Sequence, residues 1–134
     1  TSLSRNILKQ ELSLKASVKQ SGNIAGLILG LVQGDYDLIA RSLHDDIIEP
    51  QRGSLIPLFY KAKQAALDAG ALGGGISGSG PSLFALSKSQ EDAEKVKQAY
   101  VAVYQGTGIS VNAFTSKVAL QGAQIVKNPE HSMC

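Results

Sequence analysis

The run Gly73-Gly74-Gly75-Ile76-Ser77-Gly78-Ser79-Gly80-Pro81-Ser82 concentrates more small and hydroxyl-bearing residues than any other part of the chain. Consecutive small residues let backbone N–H groups converge on an anion, and serine hydroxyls add further donors. Three familiar patterns fail on inspection. Gly73-x-Gly75-x-x-Gly78 spells a dinucleotide fingerprint, but Pro81 and an apolar strand-like run follow it, whereas that motif must open a helix. No Lys-Ser or Lys-Thr follows the glycines, as a Walker loop requires. Neither Ser77 nor Ser79 has glycine two residues away on both sides, so there is no nucleophile elbow. A glycine-rich hairpin turn that binds nothing accounts for the letters equally well.

Arg5 and Arg52 are the other residues of interest, because a guanidinium presents a planar fork that pairs bidentately with a carboxylate. Ordinary ion pairing, of Arg52 with Glu49 or Asp46, explains them without a ligand. Glu49 stands just before Pro50, suits a turn, and reads as an orienting partner of Arg52 rather than a catalytic base. The cluster His44-Asp45-Asp46-Glu49 holds one histidine and fits a solvated helix end, so no metal site is expected. Cys134 is the only cysteine and the last residue, which leaves no internal disulfide or cysteine cage and suits a reducing compartment.

The elements that must position these groups follow from hydrophobic period. Leu14, Val18, Ala25, Ile28 and Val32 share one face of a helix over residues 14–32. Gly22, Gly26, Gly30 and Gly34 recur every four residues and form a second stripe, suited to close intramolecular helix packing and, less well, to dimerisation. A shorter helix is expected over 36–43. Pro50 biases Glu49 away from helix. A third long helix is expected over 55–69, with Leu55, Phe59, Ala62, Ala66 and Ala69 on one face and Gly70 closing it. Residues 73–77 and 83–86 read as a hairpin-like strand pair, the second strand buried on both faces. Ser89 and Asp92 open a helix that ends near Gly106. Residues 109–113 alternate as a strand does, and 118–126 suggest an edge strand. The order is helices, β-β, helix, β: an α+β, ferredoxin-like split βαβ arrangement with helices on one face of an antiparallel sheet, its leading strand missing. The domain is expected over 1–127, with a flexible polar tail, including His131, at 128–134.

Composition limits the function classes. The chain has 134 residues, 43% hydrophobic and 18% charged, with mean hydropathy +0.01, which suits one folded domain rather than a disordered chain. Thirteen basic against eleven acidic residues are scattered without a stripe, and tryptophan is absent, so no nucleic-acid partner is expected. The longest apolar stretch, 24–32, is too short for a bilayer, so no membrane partner is expected. Residues 1–5 carry no signal-like segment and Thr1 is not an initiator methionine, so the start is read as a cut and the location as cytoplasmic.

Residues 75–84, Gly-Ile-Ser-Gly-Ser-Gly-Pro-Ser-Leu-Phe, resemble the third motif of the GHMP kinases. Asp46-Ile47-Ile48-Glu49-Pro50-Gln51-Arg52 with Leu55-Ile56-Pro57 resembles the segment that precedes this motif in the homoserine kinase branch. Thr1 to Leu8 is similar to that branch's short Ser/Thr-x-x-x-Arg segment, although Lys9 stands where proline is common. The resemblance implies an ATP-dependent phosphotransferase acting on the side-chain hydroxyl of L-homoserine, in threonine biosynthesis, with Mg2+. It implies that Arg5 and Arg52 hold the substrate carboxylate, and that Gly75, Ser77, Gly78, Ser79, Gly80 and Ser82 form a phosphate-side loop. It further implies that ATP and Mg2+ are bound mainly by an N-terminal half of the same protein, that no catalytic residue or metal ligand lies here, and that this chain alone is inert. A homodimer suits the family. Another GHMP kinase of small alcohols, or a freestanding ferredoxin-like carboxylate-binding module, remain as alternatives.

Overall fold

The computed structural model describes residues 5–125. Helix α1, Leu14–Gln33, starts where the Ser13 hydroxyl accepts from Ala16 N–H at 3.2 Å and stops at Gly34, whose φ of 68° suits a residue without Cβ. Helix α2, Tyr36–Ser42, follows at once, capped by Asp35, whose carboxylate accepts from Leu38 N–H at 2.9 Å. The glycine stripe joins the two. A Cβ on Gly26 would strike the Ser42 hydroxyl, and one on Gly30 would come within 3.0 Å of both the Ile39 side chain and its backbone nitrogen. The stripe therefore serves intramolecular packing at two of its four positions; Gly22 faces open space and Gly34 caps. The apolar stripe behaves differently from the usual expectation for a core face: Leu14, Val18, Ile28 and Val32 are all exposed.

Helix α3 is one turn, Glu49–Arg52, and overturns the expectation that Pro50 excludes Glu49 from helix. A proline in the first turn lacks only an N–H that the helix would leave unpaired. Asp45 supplies the remaining acceptors, taking N–H bonds from Ile47 at 2.9 Å, Ile48 at 2.7 Å and Glu49 at 3.2 Å. A 3-10 turn, Gly53–Leu55, follows. Helix α4 then covers Phe59–Asp68, not 55–69: the chain breaks over Ile56-Pro57 and turns through Leu58 at φ 59°. Phe59, Ala62 and Ala66 are buried as the period requires, whereas Leu55, outside the helix, is exposed. Gly70, at φ 99°, follows its end.

Strands β1, Gly73–Ile76, and β2, Leu83–Leu86, pair antiparallel with Gly75 opposite Phe84. Burial is the reverse of expectation. Gly73 to Gly75 are buried, while β2 is half-covered and Phe84 exposed. Glycines let neighbours close over β1: a Cβ on Gly73 would meet Leu43, and one on Gly74 the Phe84 carbonyl. Helix α5, Gln90–Tyr104, opens where Ser89 Oγ accepts from Asp92 N–H at 3.1 Å, and packs Val96 and Tyr104 against α4. Tyr104 donates its hydroxyl to the Pro57 carbonyl at 3.0 Å, tying the end of α5 to the turn before α4.

The fold is thus α+β, helices packed with a small antiparallel sheet, and β-β-α of the expected β-β-α-β order is present. The expected strands at 109–113 and 118–126 do not form among the described residues. Alternation marks a side that can be buried, but a strand also needs a hydrogen-bonded neighbour, and the sheet described here has only β1 and β2. The 109–125 segment is instead anchored through Thr115, which accepts from Gln90 at 3.0 Å and donates to Glu94 at 2.5 Å. Residue 126 and the tail expected at 128–134 lie outside the described residues. Among the described residues, no helix is long and apolar enough to cross a membrane.

Candidate functional site

The bend between β1 and β2 is shaped by its own backbone. Ser77 N–H donates to the Ser82 carbonyl at 2.8 Å and Gly80 N–H to the Ser77 carbonyl at 3.1 Å. Gly78 and Gly80 take φ of 61° and 75°, values that side-chain-bearing residues rarely adopt. Gly80 precedes Pro81 through a cis peptide. The amides of Gly78 and Ser79 find no acceptor among the described residues, and Ser77, Gly78 and Ser82 are exposed. The bend therefore offers N–H and hydroxyl donors left unengaged among the described residues, chemistry suited to an anion.

Arg52 reaches this bend: its Nη1 donates to the Gly78 carbonyl at 3.1 Å from a half-buried position. Arg5 is exposed. Its segment lies beside α3, because Lys9 N–H donates to Gln51 Oε1 at 2.7 Å and Gln51 Nε2 donates to the Ile47 carbonyl at 2.5 Å. Arg52 and the bend are thus in direct contact, and the Arg5 segment is brought next to the residue preceding Arg52. Thr1 to Ser4 lie outside the described residues.

The acids near Arg52 are committed elsewhere. Asp46 pairs with Lys19 at 3.0 Å, and Asn23 also donates to it at 3.2 Å. The Lys19 hydrogen bond foremost, then its charge and the Asn23 bond, hold the Asp46 carboxyl below the usual carboxylate range despite slight desolvation. Asp45 caps α3. Glu49 is buried and accepts from Lys63 Nζ at 2.5 Å, the two side chains 10% and 17% exposed. The expected Glu49–Arg52 partnership is therefore corrected: a lysine fourteen residues away on α4 holds that carboxylate. Among the described residues no group of three histidine, cysteine or acidic side chains could hold a metal ion.

Sequence reasoning missed the Glu49–Lys63 pair. One signal was present. Lys63 follows Ala62 and stands four residues from Phe59 on the inner side of α4, where a charge needs a counterion. Beside the pair is a cavity of about 220 Å³, bordered by Asn23, Ser42, His44, Glu49, Gly75 and Phe84. A larger groove, about 1080 Å³, runs along β2 and α5 with residues 109–118 as its far wall. Arg5 and Arg52 line neither. Tyr100, at the groove, donates to the Phe84 carbonyl at 3.3 Å, and burial foremost, with Tyr104 and Glu49 adding to it, pushes its hydroxyl up to about 12.

Comparison with known proteins places the chain among relatives of one family and one fold. The family described as GHMP kinases C terminal matches residues 27–106. A homoserine kinase of Chloroherpeton thalassium is 45% identical over 127 residues, 94% of this chain and 40% of that protein. One from Chlorobaculum tepidum is 44% identical over 128 residues, again 94% and 40%. The crystal structure of a homoserine kinase from Cytophaga hutchinsonii superposes with a TM-score of 0.80 at 52% identity, covering 82% of this chain and 35% of that one. The chain spans about 40% of the length of the curated relatives it matches.

Proposed function

Because this chain belongs to the GHMP kinases C terminal family, we propose that it works as the C-terminal part of a homoserine kinase. Such an enzyme transfers the terminal phosphoryl group of ATP to the side-chain hydroxyl of L-homoserine, in the cytoplasm. Phosphoryl transfer depends mainly on positioning and on neutralising phosphate charge. In this reading Arg52 and Arg5 hold the substrate carboxylate, and the donors of Ser77, Gly78, Ser79 and Ser82 back the phosphate side. The contact between Arg52 Nη1 and the Gly78 carbonyl carries the proposal, since it joins the carboxylate-binding arm to the phosphate-facing bend. Magnesium, when bound, offsets the charge of the phosphates. Asp45, Asp46 and Glu49 are engaged by backbone N–H groups, Lys19 and Lys63, so its ligands are assigned to the part of the enzyme outside this chain.

The test is Arg52→Ala in the full-length enzyme. Losing a charged hydrogen-bond partner of the substrate raises the homoserine KM by about tenfold or more, while the ATP KM moves little. A rise confined to the ATP KM would remove the carboxylate assignment. Failure of the wild-type enzyme to phosphorylate homoserine, tested beside sugars and mevalonate, would remove the substrate.

A further inference from the structure

We propose that the buried Lys63–Glu49 ion pair is a positioning device that fixes Arg52 and the Ser77–Ser82 bend relative to one another. The inference deepens the kinase reading and rests on it for its kinetic consequence. Glu49 is the first residue of α3 and Arg52 the last, so they share a single turn of backbone. A helix of four residues has almost no stiffness of its own, because one turn barely repays the cost of nucleation. Its orientation must come from what grips it. At its start Asp45 binds three successive N–H groups, and Lys63 reaches across from α4 to bind Glu49 Oε1. At its end Arg52 touches the Gly78 carbonyl.

The same carboxylate also lies against the strand that leads into the bend. Glu49 Oε2 lies against Gly75, so close that a Cβ there would come within 3.1 Å of it. Gly75 is one residue before Ile76, where β1 ends and the bend begins. One oxygen of Glu49 is therefore held by α4 while the other packs on β1, and the residue itself opens the turn that carries Arg52. A carboxylate and an ammonium this deeply covered are costly to desolvate, and an ion pair is weak evidence for stability on that ground alone. What the pair provides that an apolar contact would not is a directional bond from α4 to the first residue of α3, with the other carboxylate oxygen seated beside β1. Lys63 sits on α4, whose residues Ala62 and Ala66 are in the core, so the anchor is an element held by packing on its inner side.

The experiment uses the full-length enzyme with Lys63→Arg, Lys63→Met and Glu49→Gln, and Val96→Ala as a core control outside the pair. Lys63→Arg keeps the charge and changes the geometry, so it tests the idea even where the other two fail to fold. The expected result is a homoserine KM raised about tenfold in Lys63→Met and Glu49→Gln and less in Lys63→Arg. The ATP KM stays within about twofold of wild type in all three. Amide hydrogen exchange across Ser77–Ser82 speeds up in the same order, and Val96→Ala lowers Tm without either effect. Unchanged homoserine KM and unchanged exchange in Lys63→Arg and any other folded variant, with Tm lowered as in Val96→Ala, would overturn the proposal and leave a purely structural pair. If the wild type does not act on homoserine, the kinase reading falls, and exchange at the bend still decides whether the pair positions it.

Discussion

Two regions of this molecule use small residues in opposite ways. In α4, alanines at positions 62 and 66 are covered where α5 packs on the helix, and they share the buried core with Phe59, Val96 and Tyr104. In α1, glycines at 26 and 30 draw α2 against the backbone, yet the rest of the helix stays open, with Ile28 57% and Val32 79% exposed. Polar crossings do the remaining work there. Lys19 and Asn23 bind Asp46, Gln20 accepts from its N–H at 3.1 Å, and Asn23 donates to the His44 carbonyl at 3.2 Å. The contrast teaches that alanine serves where side chains fill the space beside it, and glycine where a backbone does.

Phe59→Ala gives the largest expected effect, a loss of about 3–5 kcal/mol in urea unfolding, because the residue is 2% exposed. A loss below about 1 kcal/mol would show that the α4–α5 core is far looser than its burial indicates. Next comes a pair of changes within one stripe. Gly30→Ala gains about 1 kcal/mol of helix propensity but forces the Ile39 backbone outward at a cost of about 1–3 kcal/mol, so it lowers the unfolding midpoint. Gly22→Ala meets nothing within 4 Å and raises stability by about 1 kcal/mol. Equal signs for the two would erase the distinction between packed and open glycines.

The smallest effect belongs to the polar crossings. Asp46→Asn costs about 0.2–1 kcal/mol near neutral pH. Because the folded-state pKa of Asp46 is lowered, mainly by its hydrogen bond from Lys19, its contribution is present above the ordinary carboxylate value and lost as pH falls through the lowered one. Wild type and Asp46→Asn should therefore converge in acid unfolding curves. A gap that persists there would mean the asparagine costs something other than charge.

Much of this was legible in the residues because the signals were local. Ser89 opens α5 as its hydroxyl chemistry says it should, Gly70 follows the end of α4, and the Gly/Ser/Pro run forms the bend. The contact of Arg52 with that bend was anticipated only through a resemblance. What was not legible depends on local backbone geometry or on partners distant in sequence. Pro50 enters a helix because Asp45 supplies acceptors just upstream, and α4 starts late because Leu58 adopts a left-handed turn that no propensity favours. Residues 109–113 alternate faithfully yet make no strand, since alternation describes a side chain's surroundings and not its backbone's bonding. Glu49 and Lys63 stand fourteen apart, a separation without periodic meaning.

The hairpin has four residue pairs and three of its eight residues are glycine. Two short strands alone are marginal in water, and a glycine-rich one surrenders the most entropy on ordering. The bend at its tip therefore borrows its rigidity from the helices around it. Loosening the single turn of α3 disturbs the amides of the bend before it unfolds the α4–α5 core, so damage to this surface can originate away from it and leave the melting temperature nearly unmoved.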